Sequence, residues 1–268
     1  MQIAEPWSFR GRLPDEVRDN TYSLWSDDLR EGLLAYAKGK GDSASVLRWL
    51  QGHSLEKTSR PAKIVNYLES HDDYAFLDRL TENPRRNGFN PTTFDMRRHR
   101  LALAILLASP GVPMLSAGQD FLRSKKGVRN TYLRGDLNAL DYSLIEKHPE
   151  HHAYVRGWIA LRLSSIGKLF RPGDHASQAY YQAFEPEDGQ AAALLINADS
   201  SAGPERLLFA INPSVENTAR IPVTPEQFGS PLLLANHEEV SRKGLADVFE
   251  REEGCLLLPP LNTACWKF

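Results

Sequence analysis

Apolar positions in the first part of the chain alternate between short continuous runs and runs spaced three or four apart. These are the signatures of buried strands and of helices packed on one face. Gln2-Ile3-Ala4, Tyr22 to Trp25, Lys63 to Leu68 and Val112 to Ala117 are the predicted strands. Ser26, Asp27 and Asp28 supply N-cap chemistry for a helix to about Lys38, with Leu29, Leu33, Leu34 and Ala37 on one face. Gly39 and Gly41 end it, and a second short helix is predicted over Ser43 to Leu50. A long helix covers about Thr92 to Ala108 and is stopped by Ser109-Pro110-Gly111. A further amphipathic helix runs from Glu150 to Ser165, with Tyr154, Trp158, Leu161 and Ile166 near one stripe. Strand–helix alternation of this kind predicts an α/β fold, a parallel sheet with helices packed outside it.

From about Arg171 the pattern changes. Short apolar runs, Ala192 to Ile196, Leu207 to Ile211, Pro231 to Ala235 and Cys255 to Leu258, are separated by Pro, Gly, Asn and Asp. That predicts a small all-β sandwich. The expected division is 1–171 for the α/β part and 172–268 for the sandwich, with the boundary at Arg171-Pro172-Gly173.

Composition narrows this little. The chain has 268 residues, 41% of them apolar and 25% charged, and a formal charge of −2. That balance gives no reason to expect nucleic acid or an anionic membrane as a partner, and it suits a neutral polar ligand such as a sugar. The two cysteines, Cys255 and Cys265, are too few for a disulfide framework and read as free thiols. The first dozen residues lack the pattern of a signal peptide, so a cytoplasmic protein is expected unless a leader precedes them. His148, His151 and His152 suggest no metal site without further ligands and read as a solvated helix start. Arg97-Arg98-His99-Arg100 reads as a solvent-facing segment.

Glu5, Asp72 and Asp73 stand at strand ends or in the loops after them, the active-site face of an α/β barrel. Glycoside hydrolysis needs one acid to protonate the leaving oxygen and a carboxylate to act at the anomeric carbon. On spacing alone such residues are usually solvated loop charges. The wording around them changes that. Ile3-Ala4-Glu5-Pro6-Trp7 resembles the glycoside hydrolase family 13 motif that carries the general acid after the fifth barrel strand. Val65-Asn66-Tyr67-Leu68-Glu69-Ser70-His71-Asp72-Asp73 resembles the motif after the seventh. Gly111 to Phe121 resembles the eighth strand and its loop, and the stretches Leu122 to Lys126 and Gly135 to Tyr142 resemble the bacterial pullulanase subgroup. The motifs occur in family order.

The resemblance implies the C-terminal half of a (β/α)8 TIM-type barrel, from the end of the fifth strand onward, followed by the β-sandwich. It implies Glu5 as general acid/base, Asp72 as transition-state stabiliser and His71 as a ligand of sugar hydroxyls. Trp7 is either an apolar wall for a pyranose or a core aromatic. Asp73 is grouped with the sugar-binding residues. Arg123, Lys125, Asp136 and Asn138 either line donor subsites or form a salt-bridged solvent loop. The implied reaction is retaining hydrolysis of α-1,6-glucosidic bonds in pullulan, glycogen or starch-derived oligosaccharides, with no metal or organic cofactor. Rival readings are an α-amylase or isoamylase type within the family, or a non-catalytic sugar-binding or truncated protein. Two departures stand out. Asp73 occupies a position that is usually Asn, placing a like charge beside Asp72 that calls for a nearby cation. The nucleophile motif, expected upstream of Glu5, has no match here, so the chain is expected to be inactive without a missing N-terminal half.

Overall fold

The computed structural model describes residues 2–8, 11–12, 22–53, 60–82, 84, 87–173, 176–186 and 189–268. Strand β1 (Gln2–Ala4) is followed by a hairpin of β2 (Trp7–Ser8) and β3 (Gly11–Arg12), then by β4 (Tyr22–Trp25). Helix α1 (Asp27–Ala37) starts where Ser26 accepts the Leu29 N–H, and α2 (Ser43–Leu50) starts where Asp42 accepts that of Ser45. Gly32 is required between them, because a β-carbon there would lie 2.2 Å from the Trp49 ring. Strand β5 (Ile64–Tyr67) leads into the short α3 (Phe76–Leu80). Helix α4 (Thr93–Ala108) opens on a capping box between Thr92 and Asp95 and gives way to β6 (Val112–Met114). The short α5 (Gly135–Asn138) and α6 (Ser143–Lys147) precede α7 (Pro149–Leu163).

The first sheet has the order β1-β4-β5-β6, every pair parallel, with Gln2 opposite Tyr22, Leu24 opposite Ile64 and Val65 opposite Val112. The α/β expectation is met. The sheet is open: among the described residues no strand joins β6 back to β1, and no barrel closes.

Two expectations fail in the helices. Arg98, His99 and Arg100 are buried, not solvent-facing. Helix α4 packs against α1, α3 and α7, so its polar middle, Arg98 to Arg100, is enclosed along with its apolar second half, while Thr93 and Phe94 at its start stay exposed. The start of α7 is not simply solvated either. His151 is fully buried and its Nε2 lies 3.1 Å from His99 Nδ1, while His152 pairs with Asp120 at 2.9 Å.

The rest of the chain is antiparallel: β7 (Tyr181–Phe184), β8 (Ala192–Ile196), β9 (Leu207–Asn212), β10 (Ala219–Ile221), β11 (Leu232–Ala235), β12 (Val240–Leu245), β13 (Glu250–Glu252), β14 (Cys255–Leu258) and β15 (Asn262–Lys267). A six-stranded sheet of order β12-β11-β15-β9-β8-β7 faces a three-stranded sheet of order β10-β14-β13. The central strands are buried on both faces, which explains their unbroken apolar runs. Ala193, Leu195, Leu208 and Trp266 pack towards the small sheet with Ile221, Leu256 and Leu258. Leu194, Ile196, Phe209 and Cys265 pack the other way, into one core with Trp49, Leu103 and Trp158 of the helices. Cys255 and Cys265 are free. None of the described helices is long and apolar enough to cross a membrane.

Candidate active site

Glu5 leaves the carboxyl end of β1, beside the buried Pro6, and the segment Glu69 to Asp73 leaves the carboxyl end of β5. The polar side-chain atoms of Glu5, His71 and Asp72 lie within 4.8 Å of one another. They are the one group of three or more potential metal-ligating side chains among the described residues. Glu5 is half-buried, while the His71 and Asp72 side chains are 77% and 56% exposed and so open to a ligand. His71 Nε2 stands 3.6 Å from Asp72 Oδ1. Trp7 is half-buried and packs edge-on against Trp25 at 5.6 Å, and Trp25 lies 5.1 Å from Tyr67. It therefore starts an aromatic row along the carboxyl ends of the strands. That position fits neither a fully buried core residue nor a free-standing platform.

The like charge at Asp73 is answered locally. Arg129 Nε donates to Asp73 Oδ1 at 3.0 Å. The backbone of Asp73 has φ 58°, a left-handed conformation uncommon for any residue but glycine. Asn130 holds it from both sides: its side chain accepts the Asp73 N–H at 2.7 Å and its own N–H donates to the Asp73 carbonyl at 3.3 Å. The Asp73 carboxylate is thus occupied within the loop and directed at the protein.

The loop after β6 gives a mixed result. Lys125 does not line an open cleft. It is 1% exposed, and its ammonium donates to the carbonyls of His71 at 2.7 Å and Asp73 at 3.0 Å. This corrects its expected place among the sugar ligands. Asp136 is exposed and held by both nitrogens of a fork from Arg134, at 2.8 and 2.7 Å, which keeps its carboxyl below the usual carboxylate range. Asn138 ties the loop to itself through Thr131 and accepts from Arg123 at 3.4 Å. Arg123, Asp136 and Asn138 are therefore parts of a polar-pinned loop, with Arg123 and Asp136 also lining a cleft of about 440 Å³.

Two acids had no role in the sequence reading. Glu69 is 3% exposed, and one carboxylate oxygen accepts the Phe76 N–H that opens α3. Burial pushes its carboxyl up to about 7, against the pull of that N–H and of Arg123, Lys125 and Ser116. Asp78, fully buried, accepts from the Ser124 hydroxyl at 2.5 Å, the Lys125 N–H at 2.8 Å and the Gly88 N–H at 2.6 Å. Glu69 lay inside a recognised motif, and Asp78 two residues into an apolar stretch. A charge in such a stretch was the available signal.

A parallel sheet with acids at its carboxyl ends, joined through shared helices to an antiparallel sandwich, is an α-amylase-like fold. It superposes over 99% of its length on 43% of the solved pullulanase SAP of Group B Streptococcus, with a TM-score of 0.82 and 18% identity. No protein-family model matches the chain. Sequence relatives are more specific. The chain is 35% identical over 162 residues to the pullulanase of Bacillus subtilis (strain 168), a match covering 58% of this chain and 21% of that protein. It is 25% identical over 201 residues to the glycogen operon protein GlgX homolog of Mycobacterium bovis, covering 63% and 28%. It thus spans less than a third of the length of these curated relatives. In sequence the chain is thus similar to pullulanases and to GlgX-type proteins, in line with the resemblance of its motifs to glycoside hydrolase family 13.

Proposed function

We propose that this chain forms part of an α-glucan debranching hydrolase of the pullulanase type, acting on α-1,6-glucosidic bonds with retention. The observation that carries the reading is the convergence of Glu5 with the sequence-distant pair His71 and Asp72, within 4.8 Å, at the carboxyl ends of two strands of one parallel sheet. In this reading the open sheet is the second half of a (β/α)8 barrel. Glu5, half-buried, protonates the leaving oxygen and later deprotonates water. Asp72 stabilises the positive charge that develops at the anomeric carbon, and His71 hydrogen-bonds sugar hydroxyls. Trp7 closes one wall. The ligand is an α-glucan chain; a solved relative, SAP, has been crystallised with maltotetraose.

Double displacement also needs a carboxylate to attack the anomeric carbon. No motif of this chain carries it, so we infer that an upstream segment supplies that group and the remaining strands. Reducing-sugar release from pullulan tests this. The 268-residue chain alone should release none, and co-production with the upstream segment should restore release. Glu5→Gln should then remove about a thousandfold or more of the restored rate, as expected when one member of a catalytic set is lost. Release by the chain alone that disappears in Glu5→Gln would mean that Glu5 and Asp72 suffice as an acid–nucleophile pair.

A further inference from the structure

We propose that Lys125 is a positioning residue whose buried ammonium clamps the turn that presents His71 and Asp72. The inference rests on the reading above only for the identity of the ligand. The turn has an unusual task. It pushes two side chains into the open while its backbone passes through a left-handed residue, Asp73. The carbonyls of His71 and Asp73, on either side of Asp72, both accept from Lys125 Nζ. Asp72 itself has a weak local tie, its N–H to Ser70 Oγ at 3.2 Å. Without the ammonium, the His71 carbonyl would lose its charged donor and the Asp73 carbonyl would keep only the longer bond from the Asn130 N–H at 3.3 Å, so the residue they bracket would lose its reference point.

The clamp is itself anchored. Asp78 of α3 holds Lys125 by its backbone N–H, and holds Ser124 and Gly88 on either side. The rigid parts run from α3, through the loop after β6, to the turn after β5, and two elements fix a third. The charge is also placed to act. Glu69, Asp72 and Asp73 oppose the downward push that burial and Arg123 exert on the Lys125 ammonium. Two of the three ammonium hydrogens are spent on the turn and the side chain is enclosed, so the group has no reach to a sugar.

The test compares Lys125→Met and Lys125→Arg with the unaltered 268-residue chain. The readouts are amide hydrogen exchange and maltotetraose binding by calorimetry. Lys125→Met should speed exchange at Asp73 and Tyr74 by about tenfold, leave β8 and β9 unchanged, and weaken maltotetraose by about tenfold, the scale of one or two lost charge-assisted hydrogen bonds. Lys125→Arg, which keeps charge and donors, should recover most of both effects. If Lys125→Met does not fold, Lys125→Gln, a shorter neutral donor, should show an intermediate loss at the same two amides. Unchanged exchange at Asp73 and Tyr74 overturns the clamp. Faster exchange with unaltered maltotetraose affinity overturns the positioning role. Absence of maltotetraose binding by the unaltered chain would strike the glucan reading instead, and exchange with its rescue by Arg would then decide the clamp alone.

Discussion

At the scale of single residues, the environment of the site is set by charges that face inward. Glu69 is the clearest case. Its carboxyl goes from 4.5 to about 7 on burial, so the folded protein binds a proton there that the unfolded chain releases. The sign follows: this group's contribution is fully present below about pH 4.5 and is lost as pH rises through 7, a change of about 3 kcal/mol. Buried His99, held down to about 3, and His151, also lowered, act oppositely: their contribution is present above about pH 6.5 and lost on acidification. The windows overlap, so the unaltered curve mixes them. The difference between Glu69→Gln and the unaltered chain separates them. Urea unfolding should show the variant gaining stability relative to the parent between pH 5 and pH 8, with little gain below pH 4.5. A difference that is flat with pH would mean that Glu69 binds no extra proton on folding. The motif made Glu5, His71 and Asp72 legible in the sequence, and it showed that Asp73 needed a cation. It could not name Arg129 as that cation, because the contact closes between two loops far apart in the chain.

At the scale of elements, local signals carried well wherever a cap or a breaker was present. Ser26 before α1, Thr92 before α4 and Ser109-Pro110-Gly111 after it mark the observed limits. Strands without such marks were missed. Strand β12, Val-Ser-Arg-Lys-Gly-Leu, is polar and at the edge of its sheet, and β10 and β13 are three residues each. The enclosure of Arg98, His99 and Arg100 was illegible for another reason: a polar run reads as solvated unless its partners are known. Arg162 shows how such groups are accommodated. From α7 it donates to the carbonyls of Leu107 at 2.6 Å, Ser109 at 2.9 Å and Gly111 at 2.9 Å, closing the C-terminus of α4. Its positive charge also suits that end of the helix dipole. Arg162→Met should destabilise by about 2–4 kcal/mol, since three enclosed carbonyls lose their donor at once. Chemical denaturation would read this as a lower midpoint with an unchanged slope. A loss under 1 kcal/mol would mean that water replaces the guanidinium.

At the scale of the whole molecule, the two sheets differ in how they treat their edges. In the sandwich the polar β12 lies at one edge of the six-stranded sheet, and its Arg242 and Lys243 are exposed, a common protection against edge pairing. In the parallel sheet the β6 edge carries Pro113, but strand β1, Gln-Ile-Ala, has no charge or proline at the opposite edge. Strand β1 has a neighbour on one side only, among the described residues, and Ile3 in it is 48% exposed. Tyr22 of the adjoining β4 is 39% exposed. Parallel strands are ordinarily covered on both faces, so an exposed apolar edge of this kind is a surface made to be joined. In the reading proposed here the remaining barrel strands join it. Without them, copies of the chain should join one another, and sedimentation velocity should show association that grows with concentration. Ile3→Lys places a charge on that edge and should shift the population towards monomer, with no change in the near-ultraviolet signal of the sandwich tryptophan Trp266. Adding the upstream segment should have the same effect on the unaltered chain, because it occupies the edge that copies would otherwise share. A monodisperse monomer with a sharp cooperative thermal transition would mean that the four-stranded sheet is stable as an open unit, and the half-barrel reading would lose its physical basis.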